Sequence, residues 1–126
     1  MKVKLTVIAI LACLIGVPIA VFRERRLTAE ELRRSVPIGE YRERAFAGDA
    51  KAQHNLGVCF ENGWGVIKNP MKAVEWYRKA AEQGNVRAQR SLGACYLRGW
   101  GVEMDQTEAL KWFRRAEEQE NAGAGK

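Results

Sequence analysis

The residues of this chain that could carry out chemistry are few and widely spaced. His54 is the single histidine, so neither a histidine-pair metal site nor a histidine-based proton relay can be assembled. The three cysteines, Cys13, Cys59 and Cys95, form no C-x-x-C pair. The glycine-flanked tryptophans follow predicted helices rather than strands, unlike a phosphate-binding loop. We therefore predict no catalytic residue, no metal site and no cofactor, and we expect neither an enzyme nor a small-molecule substrate.

The dominant feature of the sequence is an internal repeat with a period of 36 residues. Residues 52–83, AQHNLGVCFENGWGVIKNPMKAVEWYRKAAEQ, align without a gap with residues 88–119, AQRSLGACYLRGWGVEMDQTEALKWFRRAEEQ. A fixed period of this length is typical of repeat architectures, in which each unit buries its apolar face against the next. We therefore expect stacked copies of one supersecondary unit.

Each copy has the pattern of two helices joined by a tight turn. In the first copy, small or apolar residues recur at helical spacing at Ala52, Leu56, Cys59 and Phe60, and then at Ala73, Trp76, Tyr77 and Ala80. The predicted N-caps and glycine stops are Asp49, Asn69 and Gly63 in the first copy and Asn85, Asp105 and Gly99 in the second. The two-helix unit is thus the expected building block.

These residues resemble the Sel-1-like repeat (SLR), a relative of the tetratricopeptide repeat. The shared residues are those of A-x-x-x-L-G, G-x-G-V and A-x-E-Q, which occur in this order and spacing in both copies. The resemblance implies an all-α fold, a short α-solenoid of antiparallel helix pairs with full repeats at 49–84 and 85–120 and a degenerate repeat before them. It also implies a non-enzymatic role in binding other proteins, through a concave surface lined by the first helix of each pair.

The predicted binding surface is the side of each first helix that lies opposite its apolar side. It consists of Lys51, His54, Asn55, Val58 and Asn62 in the first repeat and of Arg87, Arg90, Ser91, Ala94 and Arg98 in the second. This surface is polar, and its second half is basic. Because arginine makes bidentate contacts with carboxylates, we expect a protein partner with an acidic surface or an extended peptide.

A nucleic acid is the other class of partner that a formal charge of +6 suggests. Arginine and glutamate are, however, interleaved at 23–25, 31–33 and 42–44, so no continuous basic stripe forms. The aromatic residues fall on core or turn positions instead of on the basic face, where stacking would need them. We predict no nucleic-acid partner.

The amino-terminal segment is different in kind from the repeats. Residues 5–22, LTVIAILACLIGVPIAVF, form an uncharged apolar run from Leu5 to Phe22. At about 1.5 Å per residue, such a helix reaches roughly 27 Å, enough for the hydrocarbon core of a bilayer. Residues 1–22 are therefore predicted to be a signal anchor, a single transmembrane helix. Cleavage as an export signal and lipidation at Cys13 remain alternatives.

The orientation of this anchor depends on the charges at its two ends. Lys2 and Lys4 favour an internal amino terminus, whereas Arg23, Arg25 and Arg26 favour repeats in the cytoplasm. We expect a single-pass protein of the bacterial inner membrane with periplasmic repeats, and the cytoplasmic orientation stays open.

Residues 23–48 are predicted to be a linker with N-terminal capping helices. Thr28 and Glu31 match a capping box, which predicts the start of a short helix, and Pro37 is predicted to end that helix. Residues 41–48, YRERAFAG, align with 77–84, YRKAAEQG. They are thus expected to form the second helix of the degenerate repeat and to cover the first full repeat.

The carboxyl-terminal end is predicted to be a soluble cap. Glu117 and Glu120 replace Ala81 and Gly84 of the earlier copy, and a last helix has no successor to pack against. Residues 121–126, NAGAGK, are expected to be a flexible tail.

Cys59 and Cys95 occupy the same place in successive repeats. Their spacing is expected to be on the order of 10 Å, too long for a disulfide, so we predict two buried thiols. Some secreted members of the family that the chain resembles bridge this position to the second helix, at the residues that are here Ala81 and Glu117. That bridge cannot form in this chain.

The sequence therefore predicts a membrane-anchored adaptor or scaffold that binds another protein. The family resemblance leaves a second use, an immunity protein that neutralises a secreted, type VI lipase-like effector. A third is a small accessory subunit of a membrane complex, acting through its transmembrane helix.

Overall fold

The structure is a computed structural model, and it describes residues 35–124 together with Thr28 and Glu31. Residues 35–124 form five helices and no strand. The helices are α1 (Ile38–Phe46), α2 (Ala50–Asn62), α3 (Pro70–Glu82), α4 (Val86–Arg98) and α5 (Gln106–Ala124). Each helix packs against the next one along the chain, which short connections make antiparallel. The predicted all-α fold of stacked helix pairs is confirmed.

The helices begin and end where the capping residues predicted. The cap oxygens accept backbone N–H groups in four places: Asp49 from Lys51 and Ala52, Asn69 from Lys72, Asn85 from Ala88, and Asp105 from Glu108. Gly63 and Gly99 end α2 and α4 with φ of 71° and 64°, a left-handed conformation that glycine adopts without a Cβ penalty. Each first helix is thus followed by the same turn.

The turn after α4 joins the two full repeats closely. A Cβ atom on Gly101 would lie 2.4 Å from the carbonyl oxygen of Pro70, at the start of α3. The equivalent turn after α2 places Gly65 against Ile38 of α1 in the same way. Helix α1 therefore covers the first repeat as the second helix of a preceding unit would, as the sequence predicted.

The core consists of the residues that the helical spacing indicated. Ala52, Leu56, Cys59 and Phe60 are buried, and so are Ala73, Trp76, Tyr77 and Ala80. Val74 and Ala81, which the sequence reading did not assign to the core, are also buried. Gly57 lets α2 and α3 approach, since an added Cβ would lie 2.6 Å from the ring of Tyr77. The repeat register proposed from the sequence is correct.

The predicted capping box is present at the amino-terminal side. The backbone N–H of Thr28 donates to the Glu31 carboxylate at 2.8 Å, and the Glu31 N–H donates to Thr28 Oγ1 at 3.2 Å. The predicted anchor, residues 1–22, lies outside the described residues. Among the residues that are described, no helix is long and apolar enough to cross a membrane.

The segment that the sequence predicted to be a flexible tail, residues 121–126, is helical in its described part. Helix α5 continues through Ala124, so residues 121–124 are helical and exposed. The reason is the residue at position 120. Gly48 and Gly84 turn the chain after α1 and α3 with φ of 98° and 93°, whereas Glu120 is a good helix former and leaves α5 running. Glu117 and Glu120 are exposed, as the predicted cap requires.

The two cysteines of the repeats are free and buried. Burial raises the pKa of the Cys59 thiol, and it raises the pKa of Cys95 to about 11. Both therefore act as small packing residues, as expected from their equivalent places in the repeats. Cys13 lies outside the described residues.

Candidate functional site

The predicted binding residues lie on the surface formed by α2 and α4, which we call the inner face. The two helices meet on this face, where His54 Nε2 lies 3.4 Å from Ser91 Oγ. His54 also packs against the ring of Tyr77 on α3, with the ring centroids 5.5 Å apart. The inner face is thus one continuous surface shared by both repeats.

The first part of the inner face is a depression of about 350 Å³ at the start of α2 and α4. Four predicted residues line it, Lys51, His54, Asn55 and Arg87, together with Asn85 and Val86. Within residues 35–124, neither Lys51 nor Arg87 has an ion pair. Their charges are therefore available to an anionic group in the depression.

His54 contributes hydrogen-bonding atoms to this depression rather than charge. Desolvation by burial lowers the pKa of the imidazole, and the nearby Arg87 guanidinium lowers it further. The side-chain hydrogen bond to Asn55 acts in the opposite direction. With a pKa below the ordinary value of about 6.5, the ring is neutral at pH 7.

The second part of the inner face is a depression of about 360 Å³ near the ends of the same helices. Four more predicted residues line it: Asn62, Ser91, Ala94 and Arg98. The sequence reading missed Glu61, Lys68, Cys95 and Trp100, which line it too. Lys68 and Trp100 belong to the turns, where a helical face pattern has no meaning. Cys95 was predicted only as a packing residue.

Glu61 is held in place by the core of its own repeat. The Tyr77 hydroxyl donates a hydrogen bond to Glu61 Oε2. Burial is the main cause that raises the pKa of Tyr77, and the Glu61 carboxylate adds to it. The phenol therefore stays protonated and remains a donor. The second depression thus combines two cations, Lys68 and Arg98, with one fixed carboxylate.

Two predicted residues take positions other than the depressions. Val58 is partly buried against the hydrophobic core. Arg90 forms an exposed ion pair with Glu120 on α5. Arg90 is the counterpart of His54, but whereas His54 lies against Ser91 of the second repeat, the side chain of Arg90 reaches the extended end of α5. A partner on the inner face would contact Arg87 and Arg98 more directly than Arg90.

Two buried glutamines, which the sequence reading did not single out, join consecutive helix pairs. Gln53 Nε2 donates to the carbonyl oxygen of Ala45 at 3.0 Å, and Gln89 Nε2 donates to that of Ala81 at 3.1 Å. The signal was present in the sequence as the dipeptide Ala-Gln at the start of both copies. These glutamines position α2 and α4, and so the inner face.

The described part of the chain has no set of side chains that could bind a metal ion together. Among those residues, no group of three or more histidine, cysteine, aspartate or glutamate side chains could hold a metal ion. The inner face is a polar surface built on a helical solenoid.

Comparison with known proteins identifies the family. The Sel1 repeat model matches residues 50–85 and 86–121, each one residue later than the repeats predicted at 49–84 and 85–120. The chain belongs to the Sel1 repeat family. Sel1 repeat proteins are protein–protein interaction scaffolds that bind other proteins, and they are generally not catalytic. No match was found among curated protein sequences.

Solved structures of this family are similar to the chain. A Sel1 repeat protein from Oxalobacter formigenes is 36% identical with a TM-score of 0.64. The protein c5321, a protective antigen present in uropathogenic Escherichia coli strains and displaying an SLR fold, is 40% identical with a TM-score of 0.64. Cysteine rich protein B (hcpB) from Helicobacter pylori is 26% identical with a TM-score of 0.63.

The similarity to each of these structures covers 65% of this chain. It covers 63%, 18% and 62% of the three proteins, respectively. The chain thus matches less than two thirds of the length of each.

Proposed function

We propose that this chain is a membrane-anchored adaptor whose inner face binds an acidic surface or an extended acidic segment of another protein. The observation that carries the proposal is the grouping of four cations, Lys51, Arg87, Lys68 and Arg98, around the two depressions of one surface. Glu61 is the single carboxylate among the residues that line them. The face therefore favours an anionic partner.

Polar groups on the same surface support recognition of an extended segment. Asn55, Ser91 and Asn62 carry amide or hydroxyl groups that can donate to and accept from a peptide backbone. The neutral His54 ring adds one more such group. Trp100 supplies a half-exposed aromatic surface in the second depression. Such side chains can hold the backbone of an extended peptide, and the two depressions can accept its side chains.

The membrane part of the proposal rests on the sequence. The apolar run from Leu5 to Phe22 would hold the repeats at the bacterial inner membrane, with the inner face presented to the periplasm. An adaptor at this place would bring its partner to the membrane surface. An inhibitor of a secreted effector would use the same face to cover a toxin.

A pull-down from membranes with the full-length chain tests the proposal. The variant Arg87→Glu/Arg98→Glu changes the inner face, and Lys111→Glu/Arg114→Glu on α5 makes the same change in net charge elsewhere. We expect a partner that the first variant loses and the second retains. A resident envelope protein would identify a scaffold, and a secreted effector would identify an inhibitor.

One result would assign the function to the apolar run, residues 5–22, and not to the inner face. If the captured partner survives the inner-face reversal but is lost when residues 5–22 are replaced by an unrelated anchor, the chain acts through its apolar run. The adaptor proposal would then be wrong.

A further inference from the structure

A second groove lies on the other side of the first repeat, between α1 and α3. Its floor is formed by Leu56, Phe60 and Trp76, and its rim by Arg42, Phe46, Lys72, Glu75 and Lys79. It has a volume of about 510 Å³. We call it the outer groove. Its residues are separate from those of the inner face, and the sequence reading assigned it no function.

The outer groove has an aromatic wall that is open to solvent. Phe46 is 75% exposed, yet its ring packs edge-on against Trp76 with the centroids 5.2 Å apart. Phe60 and Trp76 are only 8% and 9% exposed, so the floor is recessed below the rim. A large exposed aromatic side chain beside a recessed apolar floor is a common feature of binding sites.

Three cations surround this apolar floor. Lys79 Nζ lies 4.3 Å from the centroid of the Trp76 ring, and Lys72 Nζ lies 5.6 Å from that of Phe60. Arg42 on α1 is the third. Within residues 35–124, none of the three has an ion pair, and Glu75 is the one carboxylate on the rim. The groove thus pairs an apolar centre with a cationic edge.

The same place in the second repeat serves as an internal comparison. The counterparts of Arg42, Phe46, Phe60, Lys72, Glu75 and Lys79 are Arg78, Glu82, Tyr96, Glu108, Lys111 and Arg115. There, three of the four charges at these positions other than Glu82 have partners within the chain: Arg78 donates to the Tyr96 hydroxyl at 2.7 Å, and Lys111 pairs with Glu108 at 3.2 Å. Arg115 lies over the Trp112 ring, 5.1 Å from its centroid, as Lys79 lies over Trp76. The exposed Phe46 and the cation at position 72 are therefore particular to the first repeat.

We propose that the outer groove binds an acidic peptide segment of a partner protein. An aromatic or aliphatic side chain of the peptide packs against the exposed face of Phe46, above the recessed floor of Phe60 and Trp76. Neighbouring carboxylates contact Lys72 and Lys79. Such an arrangement joins desolvation of an apolar anchor to charge complementarity at the rim.

Other occupants fit the groove less well. The chain's own linker, residues 23–34, has five arginines and three glutamates, and its charge would be repelled. A flat bilayer surface cannot reach Phe60 and Trp76, which lie below the rim. The proposal therefore commits to a peptide and not to this chain's linker or to a membrane.

Selection from a phage-displayed library of random linear peptides tests this inference, with the full-length chain in detergent as bait. The variant Lys72→Glu/Lys79→Glu reverses the rim, and Phe46→Ala removes the aromatic wall at an exposed position. Lys111→Glu/Arg115→Glu makes the same change in net charge at the second repeat. Arg87→Glu/Arg98→Glu separates binding at the outer groove from binding at the inner face.

We expect the enriched peptides to combine carboxylates with an aromatic or aliphatic residue. The rim reversal should weaken their binding by about tenfold or more, Phe46→Ala should weaken it several-fold, and the two control variants should leave it unchanged. Circular dichroism verifies that each variant is folded.

Three results would overturn the inference. The first is that no acidic peptide is enriched over the rim-reversed bait. The second is that enriched peptides bind the rim variant as tightly as the original chain, or lose binding with Arg87→Glu/Arg98→Glu. The third is that the rim reversal removes only binding to phosphatidylglycerol vesicles, which would make the groove a membrane-facing surface.

Discussion

Gln53 on α2 donates a hydrogen bond to the carbonyl oxygen of Ala45 on α1, 3.0 Å away in the buried interior. Gln83 in turn donates to Gln53 Oε1 at 2.7 Å, so both ends of the Gln53 amide are bonded. Gln89 makes the first contact again, with Ala81, but its buried Oε1 has no protein partner in the described part of the chain. Equivalent glutamines thus sit in unequal environments.

This inequality predicts different costs for the same substitution. Gln53→Met should destabilise the fold by about 1–3 kcal/mol, because it breaks one buried hydrogen bond, to Ala45, and one partly buried hydrogen bond, from Gln83. Gln89→Met should cost roughly 1 kcal/mol less, since it removes an acceptor that is already unpaired. Urea denaturation measures both. Equal costs, or a larger cost at Gln89, would contradict the assignment.

The turn glycine between the repeats predicts a strong effect of one added methyl group. Gly101 has φ of 71°, and a Cβ there would lie 2.4 Å from the Pro70 carbonyl oxygen. Gly101→Ala should therefore destabilise the chain by about 2–5 kcal/mol through backbone strain and overpacking. Gly123→Ala is the matched control, because nothing lies within 4 Å of its Cβ position. A tolerated Gly101→Ala would show that the repeats are not stacked through this turn.

The assignment of buried positions predicts that the large buried side chains of the first repeat are needed for folding. Leu56 is 1% exposed and Trp76 is 9% exposed. Replacing either by alanine should lower the free energy of unfolding by about 2–5 kcal/mol, because it removes apolar contacts and leaves a cavity. The exposed Leu110 on α5 provides a control, and Leu110→Ala should cost less than 1 kcal/mol by the usual scale of surface changes. Chemical melts in which Leu56→Ala matches Leu110→Ala would refute the register.

Much of the fold could be predicted from the sequence, because the residues that begin and end each helix occur at matching positions in both copies of the repeat. The caps Asp49 and Asn85 and the stops Gly63 and Gly99 lie at matching positions, so each supports the assignment of the other. The end of α5 was predicted less well. Its counterpart α3 ends before Gly84, and the consequence of Glu120 at that place for helix length is clear only when the helix is seen to continue.

The candidate site could be predicted in part. Helical spacing placed Lys51 and His54 on one side of α2 and Arg87 on the matching side of α4, because side-chain direction along each helix is fixed by its geometry. It could not place Lys68 or Trp100, since these come from turns whose path depends on packing between repeats. It also could not show that Arg90 pairs with Glu120, which lies 30 residues away in the chain.

The buried thiols predict a dependence on pH. The pKa of Cys95 is raised to about 11 by burial, against about 8.5 for an unfolded thiol. The unfolded state therefore loses this proton first. The stability due to this group is complete below about pH 8.5 and declines as the pH rises towards 11. Melts across this pH range should show the decline, and Cys95→Ala should reduce it.

Thiol reactivity gives a second readout of the same burial. At pH 8, iodoacetamide should modify Cys95 roughly a hundredfold more slowly in the folded chain than in the unfolded one, because the thiolate is both scarce and enclosed. A Cys13→Ser background removes the thiol of the apolar run from the assay. Equal rates before and after unfolding would contradict the buried placement of Cys95.

The central claim, that the inner face binds the partner, is tested most directly by one affinity comparison. The dissociation constant of the captured partner should be measured for the original chain, for Arg87→Glu/Arg98→Glu and for Lys111→Glu/Arg114→Glu. The account predicts that the inner-face reversal raises the constant by about tenfold or more while the α5 control stays within twofold of the original. An unchanged constant for the folded inner-face variant would contradict it.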